Sequence, residues 1–220
     1  MKGREIPLAK SADDQFHSVE EAIEDIKNNR IVIVVDSIKR ENEGDFICAA
    51  ANVTPQMINF MVTHARGAFI AAFSECGRCE ELGILPQRTS GENTEANKTR
   101  MMVSVDAAAG GSGSSTGDRA LTMNILARNG AVSNELRKPG HVIPIEAVSG
   151  GILERQGHTE AGVELVKLAG IKPAVAVDLE ILDTDGNMAS REYLFQMAEK
   201  FGLKIINIDQ IVSFVREKTG

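Results

Sequence analysis

Hydrophobic positions along the chain switch repeatedly between a helical period and the short solid runs of buried strands. Val19, Ala22, Ile23 and Ile26 form a helical stripe reaching about Asn29, opened by Ser18 and Glu21 at capping-box spacing. Ile31-Val32-Ile33-Val34-Val35 follows as the most strand-like run, and it exits into Arg40-Glu41-Asn42-Glu43-Gly44-Asp45. Pro55 marks the first turn of a second helix carrying Met57, Ile58, Phe60 and Met61, with a strand at 69–73 and a short helix at 75–82 beyond it. A polar segment, 87–100, precedes a strand at 101–106, a glycine and serine loop at 110–117 and a helix at 118–128. Strands at 142–145, 174–182 and 204–208 alternate with helices at 160–168 and 191–201, stopped by Gly170 and Gly202, and a helix at 209–216 closes the chain. With no internal repeat and no linker, this pattern predicts an α+β fold: a flexible tail over 1–17, then one domain over 18–220 with a mixed β-sheet core covered by helices on both faces.

Composition narrows the function classes. At 220 residues and 43% hydrophobic content, the chain can bury one real core. A net charge of -7, from 31 acidic against 24 basic residues, argues against a general grip on nucleic acid or anionic membrane. One tyrosine and no tryptophan argue against a base-stacking platform. No apolar run approaches the roughly 20 residues of a membrane span, and the polar start lacks a signal-peptide core, so a cytoplasmic protein is expected. Three cysteines, an odd number, fit a reducing compartment.

Four segments carry candidate chemistry. If 40–45 is extended, Glu41, Glu43 and Asp45 share one face, where carboxylates repel unless a cation, a proton or an arginine compensates them; hard divalent metals use such clusters. A charged turn closed by Gly44 is the alternative. In Arg155-Gln156-Gly157-His158-Thr159-Glu160, backbone amides at a helix start can hold an anion, with the arginine and threonine gripping phosphate and the imidazole binding metal. Thr159 as a plain N-cap is the competing reading. Arg137-Lys138-Pro139-Gly140-His141 is expected to form a Pro-Gly turn, and it is the most basic short segment of the chain. The 110–117 loop is either a phosphate cradle or a flexible connection, and no Gly-Lys-Ser/Thr makes it a nucleotide P-loop. Cys76-Gly77-Arg78-Cys79 offers half a zinc site or a redox pair, with Cys48 and His64 as further ligands at spacings that match no zinc module.

Taken together, residues 40–45, 137–141 and Gly157-His158-Thr159-Glu160-Ala161 resemble, in order and spacing, the 3,4-dihydroxy-2-butanone 4-phosphate synthase family of riboflavin biosynthesis. The resemblance runs from about Ser18 to Phe214, and Asp118-Arg119, Leu168-Ala169-Gly170 and Asp185-Gly186-Asn187-Met188-Ala189 fit it. It implies a lyase that converts D-ribulose 5-phosphate to L-3,4-dihydroxy-2-butanone 4-phosphate plus formate, with two Mg2+ or Mn2+ ions acidifying the C–H beside the sugar carbonyl. By motif position Glu41 would ligate both ions and His158 one. Arg40, Glu41, Asp45, Arg155, Gln156, Gly157, His158, Thr159 and Glu180 would contact substrate, and Glu41, His141 and Glu180 would be catalytic. Asp178 rivals Glu180, because the chain between Pro173 and Gly186 is one residue longer than the pattern; counting back from Asp185-Gly186 favours Glu180. Ser112-Gly113, Thr99-Arg100-Met101 and the cysteine pair depart from the family pattern. The resemblance also implies a homodimer with active sites near the subunit interface. Because no zinc-binding cyclohydrolase half follows, a monofunctional enzyme is expected, with a catalytically silent sugar-phosphate-binding relative as the alternative.

Overall fold

Ser18 caps the first helix as its spacing predicts, accepting from the Glu21 amide while the Glu21 carboxylate accepts from the Ser18 amide. The computed structural model describes residues 16–37 and 40–219, so most of the predicted tail lies outside the described residues. Its last two members are tied down: the Phe16 ring lies 5.0 Å from Phe195, and the His17 amide donates to Ile205 O. In chain order the elements are α1 (Val19–Lys27), β1 (Val32–Val35), β2 (Gly44–Ala49), α2 (Pro55–His64), β3 (Ile70–Ser74), α3 (Arg78–Glu81), β4 (Arg100–Met101), β5 (Val105–Ala107), α4 (Thr116–Leu126), β6 (Leu136–Glu146), α5 (His158–Leu168), β7 (Val175–Glu180), α6 (Arg191–Phe201), β8 (Lys204–Asn207) and α7 (Ile208–Thr219).

All eight strands join one mixed sheet in the order β4-β6-β3-β7-β2-β1-β8, with β5 also paired to β6. Pairs β1/β8 and β3/β6 are parallel and the others antiparallel. Successive side chains of a strand point to opposite faces, so the solid apolar run of β1 serves two cores. Ile33 and Val35 pack with Ile58 and Met61 of α2, Met123 of α4 and Leu194 of α6. Val32 and Val34 pack on the other face with Ile26 of α1, Leu165 of α5 and Ile211 of α7. Each fully buried Val or Ile is worth about 1.5–3 kcal/mol, which makes the double-sided run the anchor of the sheet.

Four expectations are corrected. Asn42 takes a left-handed φ of 55°, so residues 40–43 form a turn and only Asp45 lies on a strand; Glu41 and Glu43 do not owe their position to strand alternation. Residues 101–106 are two strands, because the chain leaves the ladder at Val103 and Ser104. Thr159 is the second residue of α5, whose N-cap is Gly157. The expected turn at Pro139-Gly140 is the interior of β6, in which the Lys138–Pro139 peptide is cis. Gly140 is there because β5 crosses so closely that a Cβ would sit 2.1 Å from the carbonyl carbon of Val105.

Candidate active site

β1 ends, β2 begins and β7 ends at one edge of the core, beneath the start of α5. Asp36, the first residue after β1, is buried and organises the turn that follows. Its Oδ1 accepts from the Glu43 amide at 2.9 Å, and its Oδ2 accepts from the Glu41 amide at 3.1 Å and Arg40 Nη1 at 3.0 Å. Arg191 of α6 donates to the Asp36 carbonyl at 2.9 Å, which fixes the turn to the body of the fold. Arg40 also pairs with Glu41, whose other oxygen accepts from Asn97 Nδ2 of the 87–100 segment.

The β2/β7 register sets Asp45 opposite Glu180 and Ile47 opposite Asp178, so all three carboxylates share the face covered by α5. His158 opens α5 with Nδ1 3.5 Å from Asp45 Oδ2. Its Nε2 is buried and has no hydrogen-bond partner. Behind it, Arg155 donates to Glu160 Oε2 at 2.6 Å and to Thr99 Oγ1 at 3.2 Å. Gly157 permits that arrangement, since a Cβ would lie 2.6 Å from Arg155 Nη1 and 3.0 Å from Glu160 Oε2.

Together these groups line a cavity of about 180 Å³ that includes Arg40, Glu41, Glu43, Asp45, Arg155, His158, Thr159, Asp178 and Glu180, with Phe69 and Phe73 on the apolar side. Crowding of acids has a clear electrostatic result. Burial first, then repulsion from Glu41, Asp45 and Glu180, pushes the Glu43 carboxyl up to about 7. Burial, followed by the charge of Asp45, raises both Asp178 and Glu180, and burial raises Asp45 against the opposing pull of His158. One ligand atom each from Asp36, Glu41 and His158 lie within 4.8 Å of one another. Two carboxylate oxygens and an orphaned imidazole nitrogen fit a divalent cation such as Mg2+ or Mn2+.

Of the residues anticipated for the site, Arg40, Glu41, Asp45, Arg155, His158, Thr159 and Glu180 meet in this cavity. Gln156 is exposed and Gly157 acts through its backbone; neither lines it. His141 is absent from the lining. It stands on β6 with Nδ1 2.7 Å from the buried Asp106, one residue before the Val142↔Ile70 pairing, while Phe69, the residue before β3, lines the cavity. Asp36 was missed by sequence reasoning; the signal was a lone carboxylate closing a five-residue β-branched run. The 110–117 loop is held by the chain's own anion, since the Asp118 carboxylate accepts from the Gly111 and Gly113 amides at 2.7 and 3.2 Å. Cysteine chemistry finds no support in the geometry. Cys79 is buried beside Ser74 with its thiol pushed up to about 11 mainly by burial, and the metal-competent group among the described residues contains no cysteine.

The family model for 3,4-dihydroxy-2-butanone 4-phosphate synthase matches residues 20–214. The chain belongs to the 3,4-dihydroxy-2-butanone 4-phosphate synthase family. The synthase-family match is supported by riboflavin biosynthesis protein RibBA of Bacillus cereus (strain G9842), 41% identical over 201 residues, covering 91% of this chain and 50% of that protein. The RibBA of Cytophaga hutchinsonii is 45% identical over 202 residues, covering 91% of this chain and 49% of that protein. The chain thus spans about half the length of the curated relatives it matches. A solved 3,4-dihydroxy-2-butanone 4-phosphate synthase in complex with two magnesium ions superposes with a TM-score of 0.87 at 37% identity, over 93% of this chain and 99% of that one. The synthase of Candida albicans gives a TM-score of 0.82 at 37% identity, over 91% and 98%.

Proposed function

We propose that residues 18–220 act as one synthase domain that takes D-ribulose 5-phosphate to L-3,4-dihydroxy-2-butanone 4-phosphate and formate, as a step of riboflavin biosynthesis. The observation that carries this reading is the convergence of Glu41, Asp45, His158 and Glu180 with Arg40, Arg155 and Thr159 in one cavity. Glu41 and His158, joined by Asp36, would hold Mg2+ or Mn2+, two ions per site. When bound, the ions polarise the sugar carbonyl and acidify its neighbouring C–H. Arg155, just before α5, and Thr159, in its first turn, grip the phosphate together with the amides of that turn. Glu180, half-buried and raised by its acidic neighbours, takes and returns protons at the sugar carbons. Asp45 orients the His158 ring, and Phe69 and Phe73 keep bulk water from the reacting carbons.

His141 keeps its proposed role in proton transfer through the proposed homodimer, because it lies outside the cavity of its own chain and a second copy could present it. We propose the synthase activity alone for these residues, in the cytoplasm; among the described residues no helix is long and apolar enough to cross a membrane. The test is formate release from D-ribulose 5-phosphate with Mg2+ or Mn2+. No release with either ion sinks the reading, and binding without release identifies a silent sugar-phosphate-binding relative. His158→Ala should abolish metal-dependent turnover while leaving the melting transition cooperative.

A further inference from the structure

Asp178 has no assigned work in this chemistry, yet it is 4% exposed at the floor of the cavity. It is the diagonal neighbour of Asp45 across the β2/β7 ladder, on the same face, and Asp45 is 3% exposed. Each has a buried Oδ1 that accepts from no nitrogen or hydroxyl. The cavity arginines are engaged elsewhere, Arg40 with Asp36 and Glu41, Arg155 with Glu160 and Thr99. Asp178 is also outside the group of side chains that could hold a metal. Two ionised carboxylates cannot share such a place uncompensated, and what remains to compensate them is one proton. Asp45 has the imidazole of His158 beside it, so the proton belongs on Asp178, which stands diagonally from Asp45 across the β2/β7 ladder.

We propose that Asp178 is a positioning residue: a neutral acid whose O–H donates to Asp45 and holds it against His158 Nδ1, keeping His158 Nε2 aimed at the metal site. This adds a third link behind a metal-ligating histidine, the kind of support that sets ligand orientation. Burial together with the neighbouring Asp45 charge, which holds the Asp178 carboxyl well above its ordinary range, agrees with it.

The inference rests on the metal-site reading above, and its test separates the two. Asp178→Thr and Asp178→Val have nearly the same shape and differ by a hydroxyl donor, and Asp178→Asn supplies an amide donor. Mn2+ affinity of the full chain is read by electron paramagnetic resonance of free Mn2+ without substrate, beside formate release and thermal melts. The Thr and Asn variants should bind Mn2+ within about threefold of the parent, whereas Val should lose roughly 10- to 100-fold in Mn2+ affinity and in turnover. Equal loss in all three variants, or none in any, overturns the inference. If Asp178→Val does not fold, Asp178→Ala against Asp178→Asn makes the same comparison. A parent that binds Mn2+ but releases no formate overturns the proposed reaction alone, because the variant series is still read in Mn2+ affinity.

Discussion

Glu43 ties the stability of the metal-free protein to pH, in a direction opposite to that of most surface carboxylates. Its carboxyl rises from the ordinary 4.5 to about 7, chiefly through burial and then through Glu41, Asp45 and Glu180. The folded chain therefore holds this proton more tightly than the unfolded chain does. The resulting stability is fully present below about pH 4.5 and is lost as pH climbs to about 7. The rise corresponds to at most about 3.4 kcal/mol. Glu43 keeps part of its side chain in water, and screening reduces the expected loss to about 1–2 kcal/mol. For a chain of this size that is a fall in Tm of about 3–6 °C. The assay is differential scanning fluorimetry of chelator-treated protein between about pH 5 and about pH 8, with Glu43→Gln in parallel. The variant carries a permanently uncharged group, so its advantage over the parent should grow across this window, and saturating Mn2+ should close the gap. Parallel curves with and without the substitution would refute the reasoning.

Three further outcomes follow from particular contacts. Gly140→Ala would drive a Cβ into the backbone of β5, 2.1 Å from the Val105 carbonyl carbon, and should cost about 2–4 kcal/mol by chemical denaturation, without regard to metal. Gly157→Ala would push between Arg155 and Glu160; if Arg155 grips the phosphate, KM for ribulose 5-phosphate should rise about tenfold with little change in Tm, and an unchanged KM would remove Arg155 from the phosphate site. Replacing Cys76 and Cys79 together by serine should leave formate release unchanged and no zinc in elemental analysis, since Cys79 is a buried, protonated thiol beside Ser74.

Local signals carried far in this chain and stopped where distant segments meet. The capping box at Ser18, the two-sided apolar run of β1 and the left-handed stops at Gly170 and Gly202 depend on neighbours in sequence, and each appears as read. β2 went unseen because Gly44 and Asp45, its first residues, look like loop; it is a strand because β1 and β7 flank it on both sides. Pro139-Gly140 reads as a turn by propensity, but the glycine answers the close approach of β5, which no local window contains. In the same way motif resemblance gathered most of the cavity residues, whereas Asp36 needed the hydrogen bonds of its turn, and the separate location of His141 needed the β6/β3 register.

Charge decides the order in which this site can fill. Glu41, Glu43, Asp45, Glu95, Asp178 and Glu180 line a single small cavity, with an Asp36 carboxylate oxygen within 4.8 Å of ligand atoms of Glu41 and His158, and Arg40 and Arg155 are already paired with acids. Protons on Asp178 and Glu43 relieve part of the repulsion, as their raised carboxyls require. The rest would still repel a sugar phosphate, and like charges brought together in a partly desolvated pocket cost several kcal/mol. On the proposed chemistry, divalent cations must therefore precede substrate, turning a repulsive pocket into an attractive one. Calorimetric titration of ribulose 5-phosphate into chelator-treated protein should show no binding, with binding restored by Mg2+. Tight binding without metal would mean that Arg155 and the start of α5 outweigh the acids, and that the carboxylates are more heavily protonated than the geometry around His158 implies.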